Sequence, residues 1–182
     1  MSTSPQQAGQ QFDVPPAPKR AWVSLVLLTL VLPIGLAGVA GAMAGAGALT
    51  ALALVGAVSL PLSAFLLWAM QRRRIQLDAD GLRVDAAMYR KKVGLDAIDC
   101  DGLRVVNLEE HPELRPRLKT NGFAIPGYQA GYFRLGDRSR AFCLITEPRR
   151  TLLVPQRDGP TLLISPERPQ VLCEALRAAC AR

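Results

Sequence analysis

The sequence holds a single histidine, His111, and four cysteines, Cys100, Cys143, Cys173 and Cys180, with no C-x-x-C pair among them. The histidine sits in Glu109-Glu110-His111-Pro112-Glu113, the setting of a surface residue rather than of a general base. No cysteine joins it in a nucleophile-and-base pattern, and no cysteine or histidine spacing suits a metal. No glycine-rich loop follows a strand and opens a helix, so a phosphate-binding loop is missing as well. These absences leave no catalytic residue, no metal site and no cofactor to expect. Cys173 and Cys180 stand seven apart on one helical stretch, about 10 Å along its axis, too far for a disulfide. The cysteines read as free thiols, which suit a cytoplasmic domain.

The largest absence is of charge. From Ala21 to Met70, fifty consecutive residues carry no charged side chain, while Lys19-Arg20 and Arg72-Arg73-Arg74 close the two ends. A helix needs roughly 20 apolar residues to cross a bilayer core about 30 Å thick. The block is too long for one crossing and long enough for two, and Gly41–Gly47, all small residues except Met43, supply the turn. A transmembrane hairpin of two helices is predicted, roughly Trp22–Gly41 and Ala48–Met70. Positive charge beside a span marks its cytoplasmic end. Both termini therefore read as cytoplasmic, with Trp22 and Trp68 at the interface. A rival reading takes the first span as a cleaved signal peptide ending near Ala42-Met43-Ala44. Its apolar run is longer than the usual 7–15 residues, and the second span leaves the following domain in the cytoplasm either way. Inside the spans only Ser24, Thr29, Thr50, Ser59 and Ser63 are polar, which excludes transport or proton relay through ionisable groups. Pro33 and Pro61 fall near mid-depth, and Gly41 with Gly45 forms a G-x-x-x-G that reads as turn first and packing face second.

Three regions result: residues 1–20, rich in Ser, Gln, Pro and Ala, read as a disordered cytoplasmic tail; 21–70, the hairpin; and 71–182, one cytoplasmic domain. Of the formal net charge of +7, Lys19, Arg20 and Asp13 give +1 and the residues beyond Met70 the remaining +6. The cations are spread along the domain with no recognition motif, so nucleic acid is not an expected partner. Beside a membrane they favour anionic lipid. The candidates for such a surface are Arg72, Arg73 and Arg74, then Arg90, Lys91 and Lys92, and Arg115, Arg117 and Lys119.

From Ile75 the chain alternates in short runs broken by turns. Ile75–Leu77 and Leu82–Val84 flank Asp78-Ala79-Asp80-Gly81 as a hairpin. Tyr89–Val93 and Leu103–Val106 read as further strands. Tyr132–Leu135 with Ala141–Ile145, and Thr151–Val154 with Thr161–Ile164, read as two later hairpins. Ser165-Pro166 then resembles a helix start, with Val171, Leu172, Ala175, Leu176 and Ala179 at helical spacing. The fold class is a two-helix transmembrane hairpin followed by a mainly-β barrel of about seven strands, capped by a C-terminal α-helix.

One segment carries a family resemblance. Thr120, Gly122, Pro126, Gly127, Tyr128, Gly131 and Phe133 match a T-x-G-x-x-x-P-G-Y-x-x-G-x-F stretch, and over about residues 75–181 the chain resembles the bacterial pleckstrin-homology (PH) domain family of membrane proteins. The resemblance implies a PH-like barrel and no particular activity. The motif itself reads as a buttressed loop crossing a barrel end, ahead of a ligand-binding loop. Eukaryotic PH domains that hold phosphoinositides present lysine and arginine around the first hairpin turn, whereas Asp78-Ala79-Asp80-Gly81 would repel phosphate. The expected function is a non-enzymatic protein of the bacterial inner membrane whose PH-like domain is a scaffold or protein-interaction module for a protein partner. The alternative is peripheral sensing of anionic lipid.

Overall fold

The computed structural model describes residues 10–44 and 47–181. Residues 1–9 of the tail, and Gly45 of the G-x-x-x-G, lie outside the described residues.

Two long apolar helices come first. The first rises as α1 (Lys19–Val26), passes through a π-helical turn (Leu27–Val31) and continues as α2 (Leu32–Ala44). Pro33 explains the widened turn, because it has no N–H to donate to the Thr29 carbonyl one turn earlier. The second is α3 (Ala48–Gln71), with Pro61 in its interior. The stretches Lys19–Met43 and Leu49–Gln71 are long and apolar enough to cross a membrane, and little of either is covered by protein. Where the two helices meet, Thr29 Oγ1 and Ser63 Oγ share a hydrogen bond of 2.8 Å. Each hydroxyl also lies within hydrogen-bond distance of a carbonyl of its own helix, Leu25 O and Ser59 O. With one proton each, one hydroxyl donates across to the other, which donates to its own helix, so both find partners without water.

The domain has two sheets. A four-stranded sheet runs β1 (Gln10–Phe12), β2 (Arg73–Asp78), β3 (Gly81–Ala86), β4 (Tyr89–Val93) in spatial order. The second has six strands in the order β5 (Arg104–Val106), β9 (Thr151–Val154), β10 (Thr161–Ile164), β8 (Arg140–Ile145), β7 (Tyr128–Leu135), β6 (Pro116–Ile125). Strand β10 lies parallel to β8 and antiparallel to β9. The C-terminal helix α4 (Pro169–Cys180) buries Leu172, Cys173 and Leu176 in the core.

Burial patterns explain the division. Inward residues of β2 and β3, Ile75, Leu82 and Val84, alternate with partly covered polar ones, as in a sheet with one dry face. Strands β8 and β9 are buried on both faces. Their second face holds a separate cluster of Phe133, Leu135, Cys143, Leu153 and Leu163, joined by Val106 of β5 and by Leu108 and Leu114 of the β5 to β6 connection.

Four sequence expectations are corrected. Residues 10–18 are ordered rather than a disordered tail: Phe12 pairs with Ile75 across β1 and β2, and Phe12, Val14 and Ala17 are buried. The segment 118–133 is no loop crossing a barrel end but a long hairpin, β6 and β7, with Ile125 opposite Tyr128. Helix α4 starts at Pro169 with Arg168 as its N-cap, while Ser165 is fully buried and donates to Glu147 O. Val171, at the helical spacing of the apolar residues, faces solvent. Finally, Cys100 and Cys180 form a disulfide across a sequence separation of 80, with Cα atoms 6.4 Å apart. Only Cys143 and Cys173 are free thiols, both buried.

Candidate functional site

Strand β2 begins two residues after α3 ends, so its first residues stand at the end of an apolar helix long enough to cross a membrane. The β3–β4 turn lies beside them, tied by Ala87 N–H donating to Arg72 O at 2.8 Å. Ala87 takes a φ of 55°, the positive value that the first central position of a type II′ hairpin turn requires. The turn thereby holds Met88 outward, 55% exposed, beside the end of α3.

Between the start of β2 and the start of β4 lies an open groove of about 580 Å³ lined by Arg72, Arg73, Arg74 and Arg90, with Asp85 and Met88. Pairing across β3 brings these residues together: Arg74 and Arg90 are both register partners of Asp85. Asp85 accepts from Arg90 Nε at 2.8 Å. The Arg72 guanidinium stacks 4.1 Å above the Trp68 ring, the pairing expected of an interfacial tryptophan and a cation leaving the membrane. Arg73 is half-buried, and its Nη1 is fully buried without a hydrogen-bond partner. Burial pushes its affinity for the proton down, opposed by the nearby Tyr128. Tyr128 is itself wholly buried with an unpartnered hydroxyl. Desolvation pushes its phenol up to about 12, offset in part by the Arg73 charge.

The other basic candidates disperse. Lys92 sits at the far end of β4, with Nζ 3.9 Å from Asp80. Lys91 lines a second groove of about 520 Å³ with Thr120, Asn121, Tyr132, Arg134 and Arg140, at a seam where the two sheets meet without ladder bonds and Tyr89 Oη donates to Asn121 Oδ1 at 2.9 Å. Arg115 is consumed in pinning the preceding loop, its Nε donating to Leu108 O at 2.5 Å and its Nη2 to Glu109 O. Arg117 and Lys119 are exposed on edge strand β6 and form no ion pair among the described residues. The acidic Asp78–Gly81 turn lies five residues along β2 from Arg73, roughly 17 Å at ~3.3 Å per residue, away from the span.

The family-motif residues build a hairpin rather than a cradle. Pro126 and Gly127, with φ of 83° at Gly127, fill the two central positions of a type II turn. That turn presses against the entry to α1: a Cβ on Gly127 would lie 2.6 Å from both Pro18 Cγ and Arg20 Nε. Gly131, with φ of 112°, faces Gly122 so closely that a Cβ would lie 2.6 Å from the Gly122 Cα. Thr120 Oγ1 donates to Tyr132 O at 3.0 Å, Phe133 belongs to the second core cluster, and Tyr128 to the first.

His111 is an exposed residue whose Nδ1 lies 2.9 Å from Glu113 Oε1. A hydrogen bond from its own backbone, and then His111, hold the Glu113 carboxyl below its ordinary range. Sequence reasoning found Arg72–Arg74 and Arg90 separately but not that β3 joins them. It missed Met88 and Asp85, whose signal was a bulky apolar residue beside a hairpin turn and an acid two residues before that turn.

A family model described as a bacterial PH domain matches residues 73–180. Comparison with curated proteins finds no match, and comparison with solved structures finds none either.

Proposed function

Given that this chain belongs to the bacterial PH-domain family, we propose that it is a non-enzymatic scaffold held at the cytoplasmic face of the inner membrane by two spans, with both termini in the cytoplasm. The observation that carries this reading is a shared core. Ala21 and Leu25 of α1 and Met70 of α3 are buried in the same cluster as Phe12, Ile75, Leu82, Val84 and Leu162 of the barrel. A domain joined to its anchor by packed side chains, not by a flexible linker, presents the same faces to the cytoplasm at all times, and a scaffold needs that constancy. The flanking cations support the orientation, since Lys19-Arg20 and Arg72-Arg73-Arg74 lie at the same end of the hairpin.

The test has two arms. Alkaline carbonate should leave the full chain in the membrane pellet, and protease added to inside-out vesicles should cleave the domain while right-side-out vesicles protect it. Photo-crosslinkers at exposed positions of β4 and β6 should trap one defined protein on one face. Release by carbonate would overturn the anchor, protection in inside-out vesicles the orientation, and no reproducible adduct at any position the scaffold. A second reading, contact with anionic lipid, is favoured by the arginine groove beside α3.

A further inference from the structure

We propose that the seam groove between β4 and the face of β6, β7 and β8 binds an extended acidic segment of a partner protein, about four residues long. This names the partner chemistry of the scaffold reading and rests on it.

Three cations meet in this groove, and no carboxylate lines it. Arg134 of β7 and Arg140 of β8 are direct register partners, so their side chains share one face as a like-charged pair, which is destabilising. Lys91 lies across the seam on β4, in the inward row where Val93 and its own partner on β3, Val84, are buried. None of the three forms an ion pair among the described residues. One inward charge blunts a sheet edge, but edge protection needs no opposed arginine pair on the neighbouring sheet. An anion lying between the three cations offsets their repulsion and gives each a charge-assisted hydrogen bond. Asn121 Oδ1 already accepts from Tyr89 Oη, which leaves its amide nitrogen as a further donor.

Length and place select the ligand. Strands β6, β7, β8 and β10 are successive neighbours, and the groove runs from Thr120 and Asn121 on β6 to Pro160, just before β10. Three interstrand spacings make about 14 Å, the length of roughly four extended residues. A single small anion covers only part of that span. Arg134 lies seven residues beyond Gly127, the glycine that presses on the entry to α1. That is about 23 Å at ~3.3 Å per residue, out of reach of headgroup charge, which fades within a Debye length of about 8 Å. Tyr132 makes edge-to-face contacts with both Tyr89 and Phe142, and Phe133 is buried in the second core cluster. Neither ring is free to stack on a nucleobase, so a protein segment fits better than a nucleic acid.

The test measures fluorescence anisotropy on the full-length chain in uncharged detergent micelles. The probe is a labelled octapeptide of alternating glutamate and threonine, and its glutamine–threonine counterpart is the neutral control. The acidic peptide should bind about tenfold tighter, the scale of one charge-assisted hydrogen bond. Arg134→Gln, Arg140→Gln and Lys91→Gln should each weaken it by about tenfold. Arg134→Gln and Arg140→Gln also relieve a repulsion between exposed side chains, so neither should lower Tm, as loss of a structural role would. Arg104→Gln removes equal charge from β5, at the opposite edge of the sheet, and should change nothing. Equal binding of the two peptides, or an equal loss in Arg104→Gln, would overturn the groove. Displacement of the peptide by millimolar inorganic phosphate at fixed ionic strength would assign the groove to a small anion. Tighter binding of a thymidine oligonucleotide of the same length would assign it to nucleic acid, and either result would overturn the acidic segment. Failure of the scaffold reading is distinguishable. A protein trapped from β4 or β6 without peptide binding would leave the scaffold standing and overturn the groove. Peptide binding in micelles with no trapped adduct would do the reverse, and carbonate release reports on the anchor alone.

Discussion

Two sets of helices pack on this barrel core, and they do so under opposite conditions. Helix α4 buries Leu172, Cys173 and Leu176 and turns Glu174 and Arg177 to water. The first apolar helix buries Ala21 and Leu25 in its opening segment α1, then runs on through the π-helical turn and α2 with almost wholly apolar side chains. Leu25 is 1% exposed and Leu28, one turn further, 60%. The two leucines are chemically identical, and only the first belongs to the domain. An amphipathic stripe suffices where water covers the back of the helix. A helix that must satisfy a protein core at one end and lipid along the rest needs no polar face at all.

The sharpest way to break the comparison is to cut both leucines. Leu25→Ala should destabilise the full chain in detergent by up to about 5 kcal/mol, the upper range for a buried leucine. Leu28→Ala, which leaves no protein cavity, should stay within about 0.5 kcal/mol. Equal effects, measured by thermal or denaturant unfolding, would mean that α1 does not share the barrel core.

The next effect concerns α4 alone. Its last turn is cross-linked through Cys180 to Cys100, and Arg177 Nη2 donates to Leu103 O at 2.8 Å. Replacing both cysteines with serine should cost about 2–4 kcal/mol in oxidised protein and nothing in reduced protein. A cytoplasmic domain meets a reducing pool. In growing cells Cys100 and Cys180 should therefore be open to alkylation, and become protected only on treatment with a thiol oxidant. Protection from alkylation in untreated cells would place the domain outside the cytoplasm and reverse the proposed orientation.

The smallest effect belongs to the hairpin motif. Tyr128 has a phenol pKa of about 12 when folded against 10.0 when unfolded. The unfolded chain loses that proton first, so the stabilisation is complete below about pH 10 and is lost as pH rises from about 10 to 12, by roughly 2–3 kcal/mol. Tyr128→Phe should flatten that limb of the stability profile. An unchanged limb would show that the alkaline loss comes from other groups.

What the sequence disclosed follows from the range of each signal. Strand β4 was legible to its bounds, and the β2–β3 hairpin was legible from its period-two alternation, although its strands run further, Arg73–Asp78 and Gly81–Ala86, than Ile75–Leu77 and Leu82–Val84. Strand β6 was not, because two register shifts, between Pro116 and Leu118 and between Lys119 and Asn121, break its alternation, and its glycine and proline read as loop. The Ser165-Pro166 pair carries a helix-start signal that tertiary structure overrides, since Ser165 N–H donates to Leu144 O of β8 at 2.9 Å and its hydroxyl to Glu147 O. The pairing of Cys100 with Cys180 leaves no local trace at all. At the candidate site, Arg72–Arg74 were legible as the end of a span, but Arg90 joins them only through the β3 register, and the unmet Nη1 of Arg73 depends on packing that no spacing reveals.

Arg72 is the only residue between α3 and β2, and it is held from both sides, by Trp68 and by Ala87. The connection has no slack. Helix α3 and strand β2 therefore turn as one piece, and the apolar helix is joined to the sheet that follows it by a coupling one residue long.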